Sequence, residues 1–111
     1  LATWPEIRSR RKVYESCIAQ VLREDNIVVV RQQLIPVNFK GKVYDDALRL
    51  DLLVDDLVIC EIKAAEAINP VWHAQILSHL KLTGKNLGYL INFNVPLIKQ
   101  GIKRFIFNHN K

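Results

Sequence analysis

Apolar and polar positions follow one another with a helical period in some stretches of this chain and a strand-like period in others. Over residues 5–24, Tyr14, Cys17, Ile18, Val21 and Leu22 recur at spacings of three and four, which predicts an amphipathic helix with one apolar stripe. Glu24, Asp25 and Asn26 end it with turn-favouring residues. Residues 27–39 begin with four β-branched side chains and continue through Gln33, Ile35, Val37 and Phe39, predicting a long first strand. Pro36 lacks a ladder donor, so an edge position or a bulge is expected there. Lys40, Gly41 and Lys42 read as a turn, and Asp45 and Asp46 as an irregular approach to the next strand.

Residues 47–64 read as a hairpin whose strands are apolar on both faces, with Leu50, Leu52, Val54, Val58, Cys60 and Ile62 on one and Leu53 and Ile59 on the other. Such strands lie between two layers. Three charges interrupt them, Asp51, Glu61 and Lys63, and charges in so apolar a setting are paired or bind something. The turn decides where they point. A two-residue loop sets Asp51 against Cys60; a three-residue or bulged loop over Asp55, Asp56 and Leu57 sets it against Glu61. The second is expected, because charges on opposite faces of a doubly buried hairpin would each need their own compensation.

A second helix is punctuated by Asn69 as N-cap, Pro70 at its first position and Gly84 beyond its end. Trp72, Ile76, Leu77 and Leu80 form its packing stripe, and Gln75 and His79 share a neighbouring face. Residues 87–93 read as a strand reached by a strand–helix–strand connection, which favours parallel pairing. Gly101 divides the tail into a helical turn at residues 97–100 and a last strand through Ile102, Phe105 and Phe107.

Composition narrows the class. The 111 residues suit one domain with a single core, and 50% apolar with 24% charged residues is a folded rather than a disordered composition. No apolar run nears the roughly 18 residues of a membrane span, so a soluble cytoplasmic protein with no membrane partner is expected. Cys17 and Cys60 are too few for a zinc site or a disulfide framework and read as small buried hydrophobes. His73, His79 and His109 show no ligand spacing and read as surface or packing residues, and Trp4 and Trp72 as core or interface aromatics. A net charge of +5 and pI near 9.4 favour a polyanionic partner, DNA or RNA. Arg8, Arg10, Arg11 and Lys12 on the first helix are the candidate phosphate-tracking patch, against the simpler reading of a solvated face. The apolar tail around Phe105 and Phe107 is a candidate homodimer face.

Two carboxylates facing each other repel, and one proton or one cation must resolve the conflict. A hard divalent ion, Mg²⁺ or Mn²⁺, does so while keeping waters free. Lys63, on the face of Glu61, would then orient or deprotonate a bound water, and Gln75 would add a neutral hydrogen bond. The alternative is a buried ion triad in which Lys63 bridges Asp51 and Glu61. No phosphate loop, dinucleotide fingerprint or nucleophile elbow is present.

An acid in an aliphatic strand, nine residues, E-x-K in the next strand and then a helix carrying glutamine resemble the core signature of the PD-(D/E)XK phosphodiesterase superfamily. More closely, RLDLLVDDLVICEIKA, AQILSHLKLTG and LGYLINFNVPLIKQGIKR are similar to the small bacterial GxxExxY proteins of that superfamily, over residues 13–104. The resemblance implies a restriction-endonuclease-like α/β/α sandwich around a mixed central sheet, of core order αβββαβ. It also implies Asp51 and Glu61 as metal ligands, Lys63 as catalytic lysine and Gln75 as the first residue of a Q-x-x-x-Y element. Three positions depart from the pattern. With Tyr14 aligned to the motif's tyrosine, Arg8 replaces its glycine and Arg11 its glutamate, so residues 1–12 read as a divergent or truncated N-terminus; His79 replaces the helix tyrosine. Glu15 is about 40° around the helix from the position of Arg11 and is not expected to stand in for the missing acid. A nuclease, impaired or inactive for want of that acid, is therefore set against a non-catalytic nucleic-acid-binding or protein-interaction module on the same fold.

Overall fold

A computed structural model describes the backbone of residues 4–109 and the side chains of residues 10–109. The elements follow in the order α1 (Trp4–Glu24), β1 (Val29–Phe39), β2 (Lys42–Val54), β3 (Val58–Lys63), α2 (Val71–Thr83), β4 (Leu87–Asn92), a 3₁₀ turn (Ile98–Gly101) and β5 (Ile102–Ile106). The five strands form one sheet in chain order, antiparallel except for the parallel pair β3 and β4. It is thus a mixed sheet, as expected. The side chains of Trp4 and Arg8 lie outside the described residues.

The two helices cover opposite faces. Ile18, Ala19 and Leu22 of α1 pack on Val29, Leu52, Cys60 and Ile62, while Leu80 of α2 packs with Leu50, Leu53 and Ile59. This α/β/α layering explains why β2 and β3 are apolar on both sides. The α1 stripe differs from the expected one. Cys17 and Val21 are exposed, and the inward face is Tyr14, Glu15, Ile18, Ala19 and Leu22. On α2, Leu77 turns outward and the buried residues are Ile76, His79 and Leu80. The expected N-terminal punctuation is shifted by one residue: α2 begins at Val71 with Pro70, not Asn69, in the capping position, and Asn69 Oδ1 accepts the Val71 N–H at 3.0 Å from one residue earlier. Gly84 ends the helix in the left-handed region at φ 75°.

One local distortion reassigns the hairpin's faces. Val29 and Ile35 of β1 are six residues apart, and Leu50 and Leu52 of β2 two apart, so regular alternation would put each pair on one face. In both strands the pair is split between the two cores. The switch occurs where the β1–β2 ladder skips from Arg31↔Leu52 to Gln33↔Leu50, leaving Gln32 and Asp51 unpaired. Gln32 has φ 52°, rare for a side-chain-bearing residue inside a strand. The expected grouping of Leu50 with Leu52 is therefore corrected: a left-handed residue on β1 and the kink opposite it on β2 carry Leu50 to the α2 face. A second irregularity, between Ile35 and Val37, places Pro36 at a bulge on the edge strand as expected.

Candidate active site

β2 and β3 pair through Leu52↔Cys60, Leu53↔Ile59 and Val54↔Val58 over the loop Asp55, Asp56 and Leu57. Asp55 and Asp56 both take positive φ, 52° and 55°, and form the tight loop. One further step of this register would set Asp51 opposite Glu61, but the two carboxylates turn to opposite helices, Asp51 to Arg11 of α1 and Glu61 to His79 of α2. The expected single face for both is therefore corrected: the kink at Gln32 and Asp51 takes Asp51 out of the alternation. The ladder stops before that step, and the N–H of Ile62 donates instead to Asp51 Oδ2 at 2.8 Å. The carboxylate of Asp51 therefore takes over the acceptor role that the kink removes from the backbone.

The remaining partners of the two carboxylates come from different layers. Asp51 Oδ1 receives Arg11 Nη1 of α1 at 3.3 Å and Gln32 Nε2 of β1 at 3.5 Å. Glu61 Oε1 is 3.0 Å from His79 Nδ1 of α2, and both residues are buried. Burial pushes the Glu61 carboxyl above its ordinary range; the hydrogen bond from His79 opposes this, the charge of Asp51 adds to it, and the charges of His79 and Lys63 oppose it again. Burial, reinforced by Glu61, pushes the neighbouring Cys60 thiol up to about 12, which leaves it an inert small hydrophobe as the sequence suggested.

Lys63, at the end of β3, is half-buried with Nζ 5.5 Å from the centre of the Trp72 ring. Its backbone is fixed by parallel pairing with Asn92 and by the Phe93 N–H donated to its carbonyl at 2.9 Å. Among the described residues Lys63 makes no ion pair, so the expected alternative of a triad bridged by this lysine is not the arrangement found. Gln75 is exposed, and its side chain makes no hydrogen bond among the described residues. The α2 side chain that reaches the site is His79, one turn further on, so the expected surface or packing histidine is a partner of Glu61.

Glu15 is the residue that sequence reasoning set aside. It is 1% exposed, accepts from Gln32 Nε2 through both carboxyl oxygens at 2.9 and 3.1 Å, and pairs with Arg31 at 3.5 Å. Gln32 thus links the acid on α1 to Asp51 on β2. The spacing of Glu15, Ile18, Ala19 and Leu22 would have placed it on the inward face had the stripe been drawn through Ala19. Tyr14, the residue matched to the motif tyrosine, stacks on Phe93 with ring centres 4.4 Å apart.

Of the expected basic patch, Arg11 and Lys12 line a cleft of about 530 Å³ together with Glu15, Arg31, Gln32 and Arg49. Arg10 is exposed outside that lining. Arg31 and Arg49 were not singled out in sequence; Arg49 stands two residues before Asp51, a spacing that ordinarily shares one face.

The donor chemistry of Asp51 and Glu61 suits a hard divalent ion whose other positions go to water and substrate. Among the described residues no group of three or more His, Cys, Asp or Glu could hold a metal ion, and Asp51 and Glu61 contact opposite helices. A family model of the PD-(D/E)XK nuclease superfamily matches residues 9–105. No curated protein and no solved structure matches the chain. Nucleases of this superfamily generally use divalent metals. The match covers most of α1, all of α2 and nearly the whole sheet, including Asp51, Glu61 and Lys63, and the chain belongs to the PD-(D/E)XK nuclease superfamily.

Proposed function

We propose that this chain is a divalent-metal-dependent phosphodiesterase acting on nucleic acid, of the GxxExxY kind within its superfamily. The observation that supports the reading is the Asp51 carboxylate held on β3 by the N–H of Ile62 at 2.8 Å, next in the chain to Glu61, with Lys63 two residues beyond Glu61 on the same strand. Asp51 and Glu61 would hold Mg²⁺ or Mn²⁺, which would supply Lewis-acid charge to a phosphate oxygen and a more acidic water. Lys63, its alkyl stem half-buried and its ammonium over Trp72, offers a positioned cation to a phosphate or to the attacking water. His79 orients the Glu61 carboxylate and is placed to hand it a proton or take one away. Gln75, exposed one turn before His79, takes a substrate-contacting role in this reading rather than a place among the metal ligands.

The test is cleavage of single-stranded and duplex DNA and of RNA with Mn²⁺, comparing wild type with Glu61→Gln and Lys63→Ala. Loss of cleavage in both variants is expected. Equal cleavage by all three proteins would assign the activity to a contaminant and overturn the reading.

A second reading is favoured by a specific observation: Arg11 already neutralises Asp51 and His79 already engages Glu61. A protein that keeps the fold and the basic cleft while binding nucleic acid without cutting it fits those contacts as well. Salt-dependent binding with no cleavage under Mg²⁺ or Mn²⁺ distinguishes it.

A further inference from the structure

The cleft beside Asp51 is more than a stretch of basic surface. Its cations come from three elements: Arg11 and Lys12 from α1, Arg31 from β1 and Arg49 from β2. Converging side chains from separate elements make a concave site, whereas a charge run on one helix makes a solvated face. The anions within reach are Glu15, paired with Arg31 at 3.5 Å, and Asp51, paired with Arg11 at 3.3 Å. Four cations against two carboxylates leave an excess of two positive charges, carried by Lys12 and Arg49, neither of which has an ion pair among the described residues.

Three guanidinium groups present fork-like donors that match phosphate oxygens. Gln32, held in the left-handed region, holds Glu15 of the cleft lining and Asp51 beside it on one amide. An excess of two matches a terminal phosphate dianion better than the single charge of a phosphodiester.

We propose that this cleft binds the terminal phosphate of a nucleic-acid strand, with Arg11 shared between that phosphate and Asp51. The proposal deepens the nucleic-acid reading above and rests on it for the strand that carries the phosphate. A phosphate entering the cleft competes for the Arg11 guanidinium, so the end of a strand and the state of Asp51 are coupled through one side chain.

Binding is measured by isothermal titration or fluorescence anisotropy in EDTA, at low and at moderate salt. The probes are one short oligonucleotide in 5′-phosphorylated, 3′-phosphorylated and unphosphorylated forms, and inorganic phosphate as competitor. One phosphorylated form is expected to bind at least about tenfold more tightly than the unphosphorylated form, the scale of one charge-assisted contact. Arg49→Gln and Lys12→Gln, both at exposed positions, should abolish that preference, while Lys99→Gln outside the cleft should keep it. Equal affinity for all three oligonucleotides, or a preference that survives Arg49→Gln and Lys12→Gln, would overturn the proposal. Inorganic phosphate binding as tightly as the phosphorylated strand would overturn it too, by assigning the cleft to a free phosphate. Because metal is excluded, a cleft that binds as expected and a protein that never cleaves are separate results.

Discussion

Glu61 is held between opposing demands: burial between sheet and α2 favours its neutral form, while His79 and Lys63 favour its charge. Its pKa is raised on folding, so the native state holds that proton more tightly than the unfolded chain. The stability this contributes is fully present below the ordinary carboxylate range and is lost as pH rises through the elevated value. Glu61→Gln should therefore be more stable than wild type at pH 8 by roughly 1–2 kcal/mol, with the gap closing towards pH 4. Urea melts at both pH values check this, and a variant destabilised equally at both would contradict it. The second residue-scale contest is at Asp51, where Arg11 occupies an oxygen that a metal ion would use. Arg11→Ala is expected to tighten Mn²⁺ binding by roughly threefold to tenfold, the worth of a partly shielded ion pair. Calorimetric titration of the metal reads this directly, and unchanged affinity would mean that Arg11 does not compete for the carboxylate.

At the scale of elements, what positions the site is irregular rather than regular structure. The register of β2 on β3 follows from the three-residue loop, while the freedom of Asp51 to leave the ladder follows from the kink it shares with Gln32. At the far end of β3, Lys63 depends on β4, and β4 depends on the segment that follows it. Asn92 binds both the N–H and the carbonyl of Ala65, at 3.2 and 3.0 Å. Gly101 lies so close to the Asn92 carbonyl that a Cβ there would run into it. Gly101→Ala is accordingly expected to cost about 2–3 kcal/mol, more than Gly84→Ala, where the penalty is about 1 kcal/mol for the left-handed backbone alone in open space. Denaturant midpoints of the two variants give the order, and the reverse order would contradict the role assigned to Gly101.

Most of these elements were legible in sequence because their signals are local. The C-terminal stop of α2 at Gly84, its start to within one residue, the loop length at Asp55 and the division of the tail at Gly101 each need only a few neighbouring residues. The kink was not legible. Gln32 and Asp51 leave the ladder together across a strand pair, and neither position carries a glycine or proline to announce it. The α1 stripe was misdrawn for a related reason: Glu15 is inward only because Gln32 and Arg31 are there to receive it. A helical period cannot say which face will find polar partners in another element.

At the scale of the whole molecule, charge and surface set the expected partners. No helix among the described residues is long and apolar enough to cross a membrane. Phe105 and Phe107, the residues expected to form a dimer face, are half-buried against the α2-side core of Leu50, Leu53, Ile59 and Leu80, so they contribute chiefly to the interior. With the cleft's excess of two positive charges neutralising about two phosphates, affinity for a duplex should fall by roughly twelvefold between 50 and 200 mM salt. Binding isotherms across that range test it, and a flat dependence would separate the +5 charge from nucleic-acid binding.

By itself the sequence determined the order of elements, the length of the turn between β2 and β3 and the strand that carries Glu61 and Lys63, because periodicity and punctuation act over a few residues. The tertiary structure decided which groups those charges meet: Arg11 and Gln32 at Asp51, His79 at Glu61, Trp72 at Lys63. Those pairings join residues far apart in the chain and depend on which helix covers which face of the sheet. Local pattern leaves that open, and only the packing of the layers fixes it.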